Sequence, residues 1–421
     1  MPKCVSIAIA GGGDRGSEYS QYALMHPDRA RVVALAEPQE YNCTLLARQH
    51  NIPPANVFTD WRQLAEKPRL ADAVIIATQD AMHAEPALAL AKKGYAILLE
   101  KPMAPNAQDC RRIAGAVAAN DNLFAVCHVM RYTDYTRRLK ALLEEGLIGE
   151  IVSLQHLEPV GWWHQAHSFV RGNWRNEKQS SPMLLAKSCH DLDWIRHIMG
   201  VPCRSVQSFG SLYLFRKDRK PAGAGSRCTV DCSIEEGCCY SARKIYLGRL
   251  ARGHTGWPVS TVAPEPTMEK LQEALRTGPY GRCVWECDND VVDNQTVNML
   301  FEGGRTAVFT MTAFNNPRGG RRTAIFGTRG EIFGYDDKIR HFDFLTQTEQ
   351  VIDACPAEQA GRAGHGGGDY RLMEAFVAAV ATGQRGHILS GPTESLETHL
   401  MVFAAEKSRH ENRVVDLAEM T

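Results

Sequence analysis

Four ionisable side chains, one lysine, one histidine and two aspartates, lie close together in the segment LLAKSCHDLDWI at residues 184–195. On one continuous helix, Lys187, His190, Asp191 and Trp194 would share one face. Histidine is the side chain best suited to acid–base catalysis near neutral pH. We therefore predict that His190 exchanges a substrate hydroxyl proton, that Lys187 adjusts the local charge, and that Asp191 contacts the substrate. The alternative is a solvated face with a Lys187–Asp191 pair, worth only about 0.2–0.5 kcal/mol.

Lys101 is the second residue that could do chemistry. It follows the apolar run YAILLE at residues 95–100 and precedes Pro102. A lysine held there by the proline is partly removed from water, so its ammonium group can stabilise a developing alkoxide or hold a substrate oxygen. We predict Lys101, His190 and Lys187 as the catalytic residues. The alternative for Lys101 is a surface lysine before a turn.

The glycines at residues 11–16 (GGGDRG) fit the spacing G-x-G-x-x-G directly after the apolar run VSIAIA. Gly11 would make a tight turn, Gly13 would let a pyrophosphate approach the backbone, and Gly16 would allow close helix–strand packing. Asp14 and Arg15 lie inside this turn and join the predicted cofactor-binding residues. Arg15 either approaches the pyrophosphate or points to solvent.

Glu37 ends the next apolar run, RVVALAE at residues 31–37. An acid about 20 residues beyond a glycine turn can accept both ribose hydroxyls of a dinucleotide. A carboxylate there would repel a 2′-phosphate, so we predict NAD as the cofactor rather than NADP. The alternative is the same scaffold without a nucleotide.

The elements that must position these residues alternate between strands and helices. Further strands are expected in ADAVIIAT at residues 71–78 and YAILLE at residues 95–100, with a helix between them. This alternation predicts a doubly wound parallel sheet with its ligand at the carboxyl ends of the strands.

The segment LLEKPMAP at residues 98–105 resembles the Gfo/Idh/MocA family of NAD(P)-dependent oxidoreductases, as do GGGDRG, ATQDAMH at 77–83 and the segment 127–151. The resemblance implies an α/β protein with an N-terminal Rossmann domain, placed at 1–127. It also implies a C-terminal α+β domain at 128–421, built on a large, open and mainly antiparallel sheet that often supports a homodimer or homotetramer. Typical substrates are sugars, polyols and their derivatives.

The resemblance also implies roles for particular residues. Lys101 matches the lysine between nicotinamide and substrate, while Glu100, Thr78 and His83 match positions beside the cofactor. His190 and Asp193 match the end of an Asp…His…Asp pattern, but the position of its first aspartate is Ala186. The proton relay of this chain must therefore differ, and we expect Lys187 to substitute and Asp193 to be structural.

Aromatic and basic residues are concentrated in EPVGWWHQAHSFVRGNWRN at residues 158–176. Indoles stack on sugar faces while histidine and arginine bind hydroxyls, so the segment predicts a carbohydrate pocket. A core loop is the alternative. The predicted substrate-binding residues are Trp162, Trp163, His164, His167, Arg171, Trp174, Arg131, Tyr132 and Asp191.

Cysteines are frequent in residues 216–290, which we interpret as an insertion with little hydrophobic content. Cys228, Cys232, Cys238 and Cys283 could together hold a structural zinc ion that braces this insertion. The spacing is not the diagnostic double C-x-x-C, so unligated thiols are the alternative, and an iron–sulfur cluster is a third.

Composition narrows the class of protein. Lys+Arg and Asp+Glu each number 48 in 421 residues, which argues against nucleic-acid binding, and no apolar run predicts a membrane span. We expect a cytoplasmic enzyme that transfers a hydride between NAD and a carbon of a sugar, polyol or sugar derivative. The alternatives are a glycosidase working by transient oxidation and elimination, and a non-catalytic sensor of NAD and sugar.

Overall fold

Two sheets organise the chain in the computed structural model, which describes residues 3–316, 320–335, 337–354 and 365–420. The first is a six-stranded parallel sheet of order β3-β2-β1-β4-β5-β6. Its strands are β1 (Val5–Ala10), β2 (Ala30–Ala36), β3 (Val57–Phe58), β4 (Ala73–Ile76), β5 (Ala96–Leu99) and β6 (Phe124–Val126). The central strand VSIAIA is almost continuously buried, as expected for a parallel strand covered on both faces.

The second sheet has nine strands in the order β14-β13-β12-β11-β7-β10-β9-β8-β15, and every pair is antiparallel except β10 with β7. Its strands are β7 (Ile151–Pro159), β8 (Cys203–Ser211), β9 (Asn294–Phe301), β10 (Thr306–Thr312), β11 (Arg322–Gly327), β12 (Gly330–Tyr335), β13 (Lys338–Asp343), β14 (Glu349–Asp353) and β15 (Val415–Asp416). Burial alternates along β10, so one face of this sheet packs inward and the other is more open. The predicted fold class is confirmed.

Helices cover both sheets. They are α1 (Asp14–Met25), α2 (Glu40–Gln49), α3 (Trp61–Glu66), α4 (Ala84–Lys92), α5 (Ala107–Ala119), α6 (Asp134–Glu144), α7 (Trp162–His164), α8 (Met183–Ala186), α9 (Cys189–Met199), α10 (Gly248–Leu250), α11 (Val259–Val262), α12 (Met268–Thr277), α13 (Gly368–Thr382) and α14 (Pro392–Glu411). Within the described residues, none of these helices combines the length and the apolar character that a membrane crossing requires.

Two C-terminal helices join the two halves of the chain. Helix α13 buries Leu372 and Phe376 in the same core cluster as β1 and β2. Helix α14 packs on α5 of the first half and on α9 and β8 of the second. The edge of the parallel sheet therefore lies against the second half of the chain, where His190 stands on α9.

The insertion shares a hydrophobic core with the segments next to it, contrary to the expectation of little hydrophobic content. Phe215, Tyr246, Leu271 and Trp285 are buried together in it. These apolar side chains are spread over about 70 residues of polar sequence, so no local run of them signalled a core. The insertion therefore has an apolar means of support that does not depend on a metal.

Candidate active site

The glycine turn has the shape that a dinucleotide requires. Gly11 has a φ of +97°, and a Cβ there would lie 2.5 Å from the carbonyl oxygen of Ala77. A Cβ on Gly16 would lie 2.0 Å from the carbonyl oxygen of Gly11, so both positions exclude larger residues. A Cβ on Gly13 would instead meet open space, and Gly13 precedes the amino end of α1 without a side-chain cap. The open space and the uncapped N–H groups fit a pyrophosphate.

Glu37 lies directly beside this turn. Its buried carboxylate accepts hydrogen bonds from the backbone N–H groups of Gly12 at 2.6 Å and Gln39 at 2.8 Å. These contacts attach the end of β2 to the glycine turn. The carboxylate thus stands at the position expected for an acid that recognises the cofactor ribose.

Arg15 is bonded to three side chains of the protein. Its Nε donates to Glu100 Oε1 at 2.7 Å, and its guanidinium also contacts the Tyr19 hydroxyl and Asp369. Burial lowers the pKa of this group, but Tyr19, Glu100 and Asp369 outweigh burial and raise it above the ordinary value. Arg15 is therefore a partly exposed link between the glycine turn, β5 and α13. Beside it, burial raises the pKa of Asp14, although the charge of Arg15 lowers it.

Lys101 reaches from the edge of the parallel sheet into the second half of the chain. Its Nζ donates a hydrogen bond to the carbonyl oxygen of Ala186 at 2.7 Å. Ala186 lies four residues before His190, so the contact brings both predicted catalytic residues to one site. Glu100, directly before Lys101, accepts a hydrogen bond from the Lys101 backbone N–H.

His83 and Thr78 hold the loops beside Lys101. The ring of His83 is buried, with Nδ1 2.7 Å from the carbonyl oxygen of Pro102 and Nε2 3.0 Å from that of Thr78. The Thr78 hydroxyl donates to the carbonyl oxygen of Met82 at 3.1 Å. Both ring nitrogens of His83 are thus occupied by main-chain oxygens. The structure places His83 as a brace between two loops rather than as a direct contact to a cofactor.

His190 is almost fully buried, at 5% exposure, and its Nδ1 has no hydrogen-bond partner among the described residues. Burial holds the pKa of its imidazole well below the usual range, and the positive charge of Lys101 lowers it further. The ring is therefore neutral near pH 7. A neutral imidazole in this position can accept a proton.

The predicted single helix through Lys187 and His190 is interrupted. Helix α8 ends at Ala186 and α9 begins at Cys189, so Lys187 lies in the break. Its Nζ pairs with Glu158 Oε1 at 3.0 Å, and that carboxylate also pairs with Arg321 at 3.0 Å. Lys187 thus lies near the site, but its charge is balanced by the carboxylate of Glu158, which was not predicted from the sequence.

Asp191 is fully buried, and its carboxylate is engaged by two other side chains of the protein. It pairs with Arg321 Nε at 2.5 Å and with His156 Nε2 at 3.2 Å. The expected substrate contact is therefore wrong. The charge of Arg321 and the His156 hydrogen bond outweigh burial and hold the pKa of Asp191 below its ordinary value.

Arg131 and Tyr132 are also internal, which corrects their prediction as substrate-binding residues. Both guanidinium contacts of Arg131 to Asp193 measure 2.7 Å, and both residues are buried. The Tyr132 hydroxyl lies 3.0 Å from Ser390 Oγ and accepts from the Leu389 N–H at 2.9 Å. Asp193 is structural, as expected.

The aromatic segment divides into an inner and an outer part. It forms α7 and then a π-helix from Gln165 to Arg171. His167 bonds the Tyr246 hydroxyl at 2.9 Å, and Arg171 donates to the carbonyl oxygen of Tyr240 at 2.8 Å. Both are buried against the insertion, so these two residues fit the alternative of a core segment and are withdrawn from the substrate site.

The outer part contains the tryptophans and His164. Trp162 and Trp174 are each 36% exposed, and His164 lies between Trp163 and Trp257, with ring centroids at 5.7 and 4.9 Å. Burial lowers the pKa of His164, and the nearby charge of Lys187 lowers it further. Trp257 comes from the insertion and was not selected from the sequence. An aromatic wall therefore stands close to Lys187, formed by two separate parts of the chain.

The structure does not support the structural zinc. Cys228, Cys232, Cys238 and Cys283 line one small cavity together with Arg171. Among the described residues, however, no three sulfur ligands lie close enough to share an ion, and the only such group is Glu177, Glu406 and His410. Arg409 already pairs with both of those glutamates. An arginine nitrogen lies 3.5 Å from the Cys228 sulfur, so the cavity places a cation beside the thiols.

Three residues near the site were not selected from the sequence. Glu158 and Arg321 meet only because β7 pairs with β11, more than 150 residues apart. Asp369 is the third, and the sequence does contain a pattern that indicates it. A histidine four residues before an aspartate at the start of a helix places both side chains on one face.

Comparisons with known proteins agree with this architecture. Residues 5–128 match the family model of the oxidoreductase family with an NAD-binding Rossmann fold, and residues 140–417 match that of its C-terminal alpha/beta domain. A levoglucosan dehydrogenase in complex with NADH superposes over 99% of both chains with a TM-score of 0.72 at 19% identity, which shows the shared fold.

Three curated relatives are similar in sequence. The Bacillus subtilis (strain 168) protein "Putative oxidoreductase YteT" is 25% identical over 76% of this chain and 75% of its own length. The levoglucosan dehydrogenase of Pseudarthrobacter phenanthrenivorans is 29% identical over 54% of this chain and 59% of its own. The 2,7-anhydro-N-acetylneuraminate hydratase of Escherichia coli (strain K12) is 28% identical over 49% of this chain and 52% of its own length. The chain thus spans only about half the length of the last two.

Both family models together cover most of the chain, and the motifs that carried the resemblance lie where those models match. The resemblance is therefore confirmed: this protein belongs to the Gfo/Idh/MocA oxidoreductase family.

Proposed function

We propose that the protein is an NAD-dependent oxidoreductase that oxidises a secondary hydroxyl group of a sugar, polyol or anhydrosugar, or reduces the corresponding ketone. The observation that carries this proposal is the convergence of Lys101 and His190. The Lys101 ammonium reaches the carbonyl oxygen of Ala186 at 2.7 Å, at the carboxyl edge of an NAD-binding sheet.

Different residues of the chain carry out different parts of this reaction. The neutral His190 imidazole accepts the proton of the substrate hydroxyl. Lys101 has no carboxylate partner at Nζ among the described residues, so its ammonium can donate a hydrogen bond to the developing alkoxide. NAD supplies the hydride acceptor when it is bound. The open space over Gly13 and the carboxylate of Glu37 are the groups of this chain that would hold it.

The choice of NAD over NADP follows from Glu37. Its carboxylate bonds two backbone N–H groups of its own fold and lies at the end of β2. A 2′-phosphate in that position would meet a fixed negative charge.

Support for a carbohydrate substrate comes from two sources. Trp163, His164 and Trp257 form an aromatic surface near Lys187, and such surfaces stack on sugar rings. Relatives of this chain include a levoglucosan dehydrogenase and an inositol 2-dehydrogenase from Pseudomonas fluorescens.

A second candidate is a reaction without net redox change, in which transient oxidation enables elimination or hydration. One relative carries the name of a hydratase of an anhydrosugar acid. The observation in this chain that favours it is a second histidine, His365, whose ring centroid lies 5.8 Å from that of His190. Such chemistry needs two acid–base groups that act on different atoms of the substrate.

The test is a screen of sugars, polyols, anhydrosugars and glycosides with NAD and with NADH. The measurements are NADH absorbance and chromatographic analysis of the products. We expect stoichiometric formation or consumption of NADH with at least one sugar. A product formed only in the presence of NAD, but without net NADH, would replace the first function by the second.

A further inference from the structure

His365 stands at the amino end of α13 and belongs to an element separate from those of Lys101 and His190. It opens a short turn, His365–Gly367, that leads directly into the helix. Its side chain is 40% exposed, and its φ of +40° is uncommon for a residue with a side chain. Backbone conformations of this kind are often retained at functional sites.

Asp369 holds the ring of His365. Its Oδ2 lies 2.9 Å from Nδ1 of His365, one helical turn away, and its carboxylate is buried at 3% exposure. Burial raises the pKa of Asp369, but the His365 hydrogen bond and the charge of Arg15 lower it to about 2. The aspartate is therefore ionised near pH 7 and fixes His365 with Nδ1 towards the protein.

The ring of His365 lies beside that of His190. The two ring centroids are 5.8 Å apart and the planes are inclined by 51°. Two imidazoles joined by a direct hydrogen bond have closer centroids, and at this separation one oxygen, from water or from a substrate hydroxyl, can bridge the two rings. The charged groups around the pair are Asp369 on α13, Arg15 on α1, Lys101 after β5 and Arg321 before β11. The titratable group beside it is His128, after β6, whose ring centroid lies 6.2 Å from that of His190.

The other candidate histidines are less suited to this task. His167 is bonded to Tyr246 inside the insertion core. His164 lies among aromatic rings, and the charge of Lys187 opposes its protonation. In addition, Ala186 leaves the turn before His190 without a carboxylate. Only His365 combines an ionised aspartate, an exposed ring and a position next to His190 among the described residues.

We propose that the His365–Asp369 pair is the proton relay of this site, and this inference rests on the proposed oxidation. The substrate O–H proton passes to His190 and then, through one oxygen, to His365 and to solvent. The electron pair of the substrate C–H bond leaves as hydride to NAD, and the C=O bond forms. In the reverse direction, the same path returns one proton to the alkoxide. Asp369 is a positioning residue, because it acts through His365.

Arg15 extends this relay to the cofactor site. It contacts Asp369 on one side and belongs to the glycine turn on the other. The proton relay is thus coupled through two ion pairs to the segment that binds the dinucleotide.

The kinetic test uses the full-length protein with NAD and the sugar oxidised fastest by the wild type. We expect His365→Ala to lower turnover by about 10- to 100-fold, with free imidazole restoring part of it, while the dissociation constant of NADH changes less than about twofold. The turnover of His365→Asn should fall by a similar factor, and its pH profile should be altered. Asp369→Asn should lower turnover less.

The matched control is His387→Asn. His387 is an exposed histidine in the turn Arg385–His387, which is attached to Asp121 at the opposite edge of the parallel sheet. The turnover and the pH profile of His387→Asn should equal those of the wild type. Unchanged turnover in His365→Ala would overturn the inference, and so would a loss that imidazole does not restore and that leaves the pH profile intact.

A second measurement needs no substrate and therefore separates this inference from the proposed function. In histidine-labelled protein with bound NADH, nuclear magnetic resonance follows the titration of the His190 ring, assigned with His190→Asn. Since the charge of His365 lowers the pKa of His190, His365→Asn should raise it measurably. An unchanged His190 titration would show that the rings are not coupled, whichever reaction the enzyme catalyses.

Discussion

Trp174 and Asp80 join the two halves of the chain through one hydrogen bond. The indole Nε1 donates to Asp80 Oδ2 at 3.1 Å, and the carboxylate is buried at 8% exposure. Asp80 lies two residues beyond Thr78, in the loop that follows β4, so the bond lies at the cofactor edge of the sheet. Trp174 was expected to stack on a sugar, but its indole N–H is hydrogen-bonded to the nucleotide-binding half of the chain.

Trp174→Phe tests the strength of this connection. A hydrogen bond to a charged group contributes about 1.5–3 kcal/mol, so the free energy of unfolding should fall by roughly that amount. Trp162→Phe is the matched control, because Trp162 is equally exposed at 36% and its indole N–H has no hydrogen bond to any described residue. Chemical denaturation followed by circular dichroism measures both. An equal effect in the two variants would show that the bond contributes nothing specific.

Turnover should depend strongly on Lys101 and His190. We expect Lys101→Ala and His190→Ala each to lower kcat by about 100-fold or more, because one removes the cation at the alkoxide and the other removes the base. NAD should still bind to both variants. Lys92→Ala is a suitable control, since Lys92 is an exposed lysine at the end of α4.

Lys187→Ala should have a smaller effect, because the charge of Lys187 is already balanced by Glu158 at 3.0 Å. Steady-state kinetics combined with NADH fluorescence titration separates losses of turnover from losses of binding. Near-normal turnover in His190→Ala would remove His190 from the mechanism.

The preference for NAD should be at least tenfold, or about 1.4 kcal/mol, over NADP. The Glu37 carboxylate would repel the 2′-phosphate, and Glu37→Gln should narrow the difference because the amide carries no charge. Glu40→Gln, an exposed acid on the next helix, controls for a general change in charge. Fluorescence titration with both reduced cofactors provides the measurement, and equal affinities in the wild type would refute the assignment.

The sequence was sufficient wherever a feature is local. The glycine turn, Glu37 and Lys101 each belong to a short segment whose spacing has a mechanical reason, and the parallel sheet follows from the alternation of strands and helices. For residues whose partners are distant in sequence, the predicted roles were wrong. Asp191 looked like a site residue by its helical spacing, yet His156 and Arg321, 35 and 130 residues away, draw it inward.

The same reason applies to Arg131, whose charge suggested a substrate contact. Asp193, 62 residues later, pairs with it in the interior. A single sequence shows the types and spacing of ionisable groups, but not which of them neutralise one another. The break of the helix at Lys187 is of the same kind, since no glycine or proline marks it.

His399 predicts how stability depends on pH. Its Nδ1 lies 2.6 Å from the carbonyl oxygen of Ser395, and its Nε2 accepts the Met103 N–H at 2.8 Å. A neutral ring with its proton on Nδ1 satisfies both contacts, whereas a protonated ring would lose the acceptor for Met103. Burial lowers the pKa of His399 from 6.5 to about 4, so the charged form is disfavoured in the folded state.

Because the folded pKa lies below the unfolded one, the unfolded chain binds the proton first. The contribution of His399 to stability is complete above about pH 6.5 and is lost as the pH falls towards 4, by up to ~3 kcal/mol. His399→Gln should therefore lower the free energy of unfolding at pH 7 and flatten its decline between pH 7 and 5. His387→Asn, at an exposed position, should keep the wild-type decline. Denaturant unfolding at these two pH values measures the slopes. If His399→Gln declined as steeply as the wild type, other buried groups would have to carry the acid sensitivity of this fold.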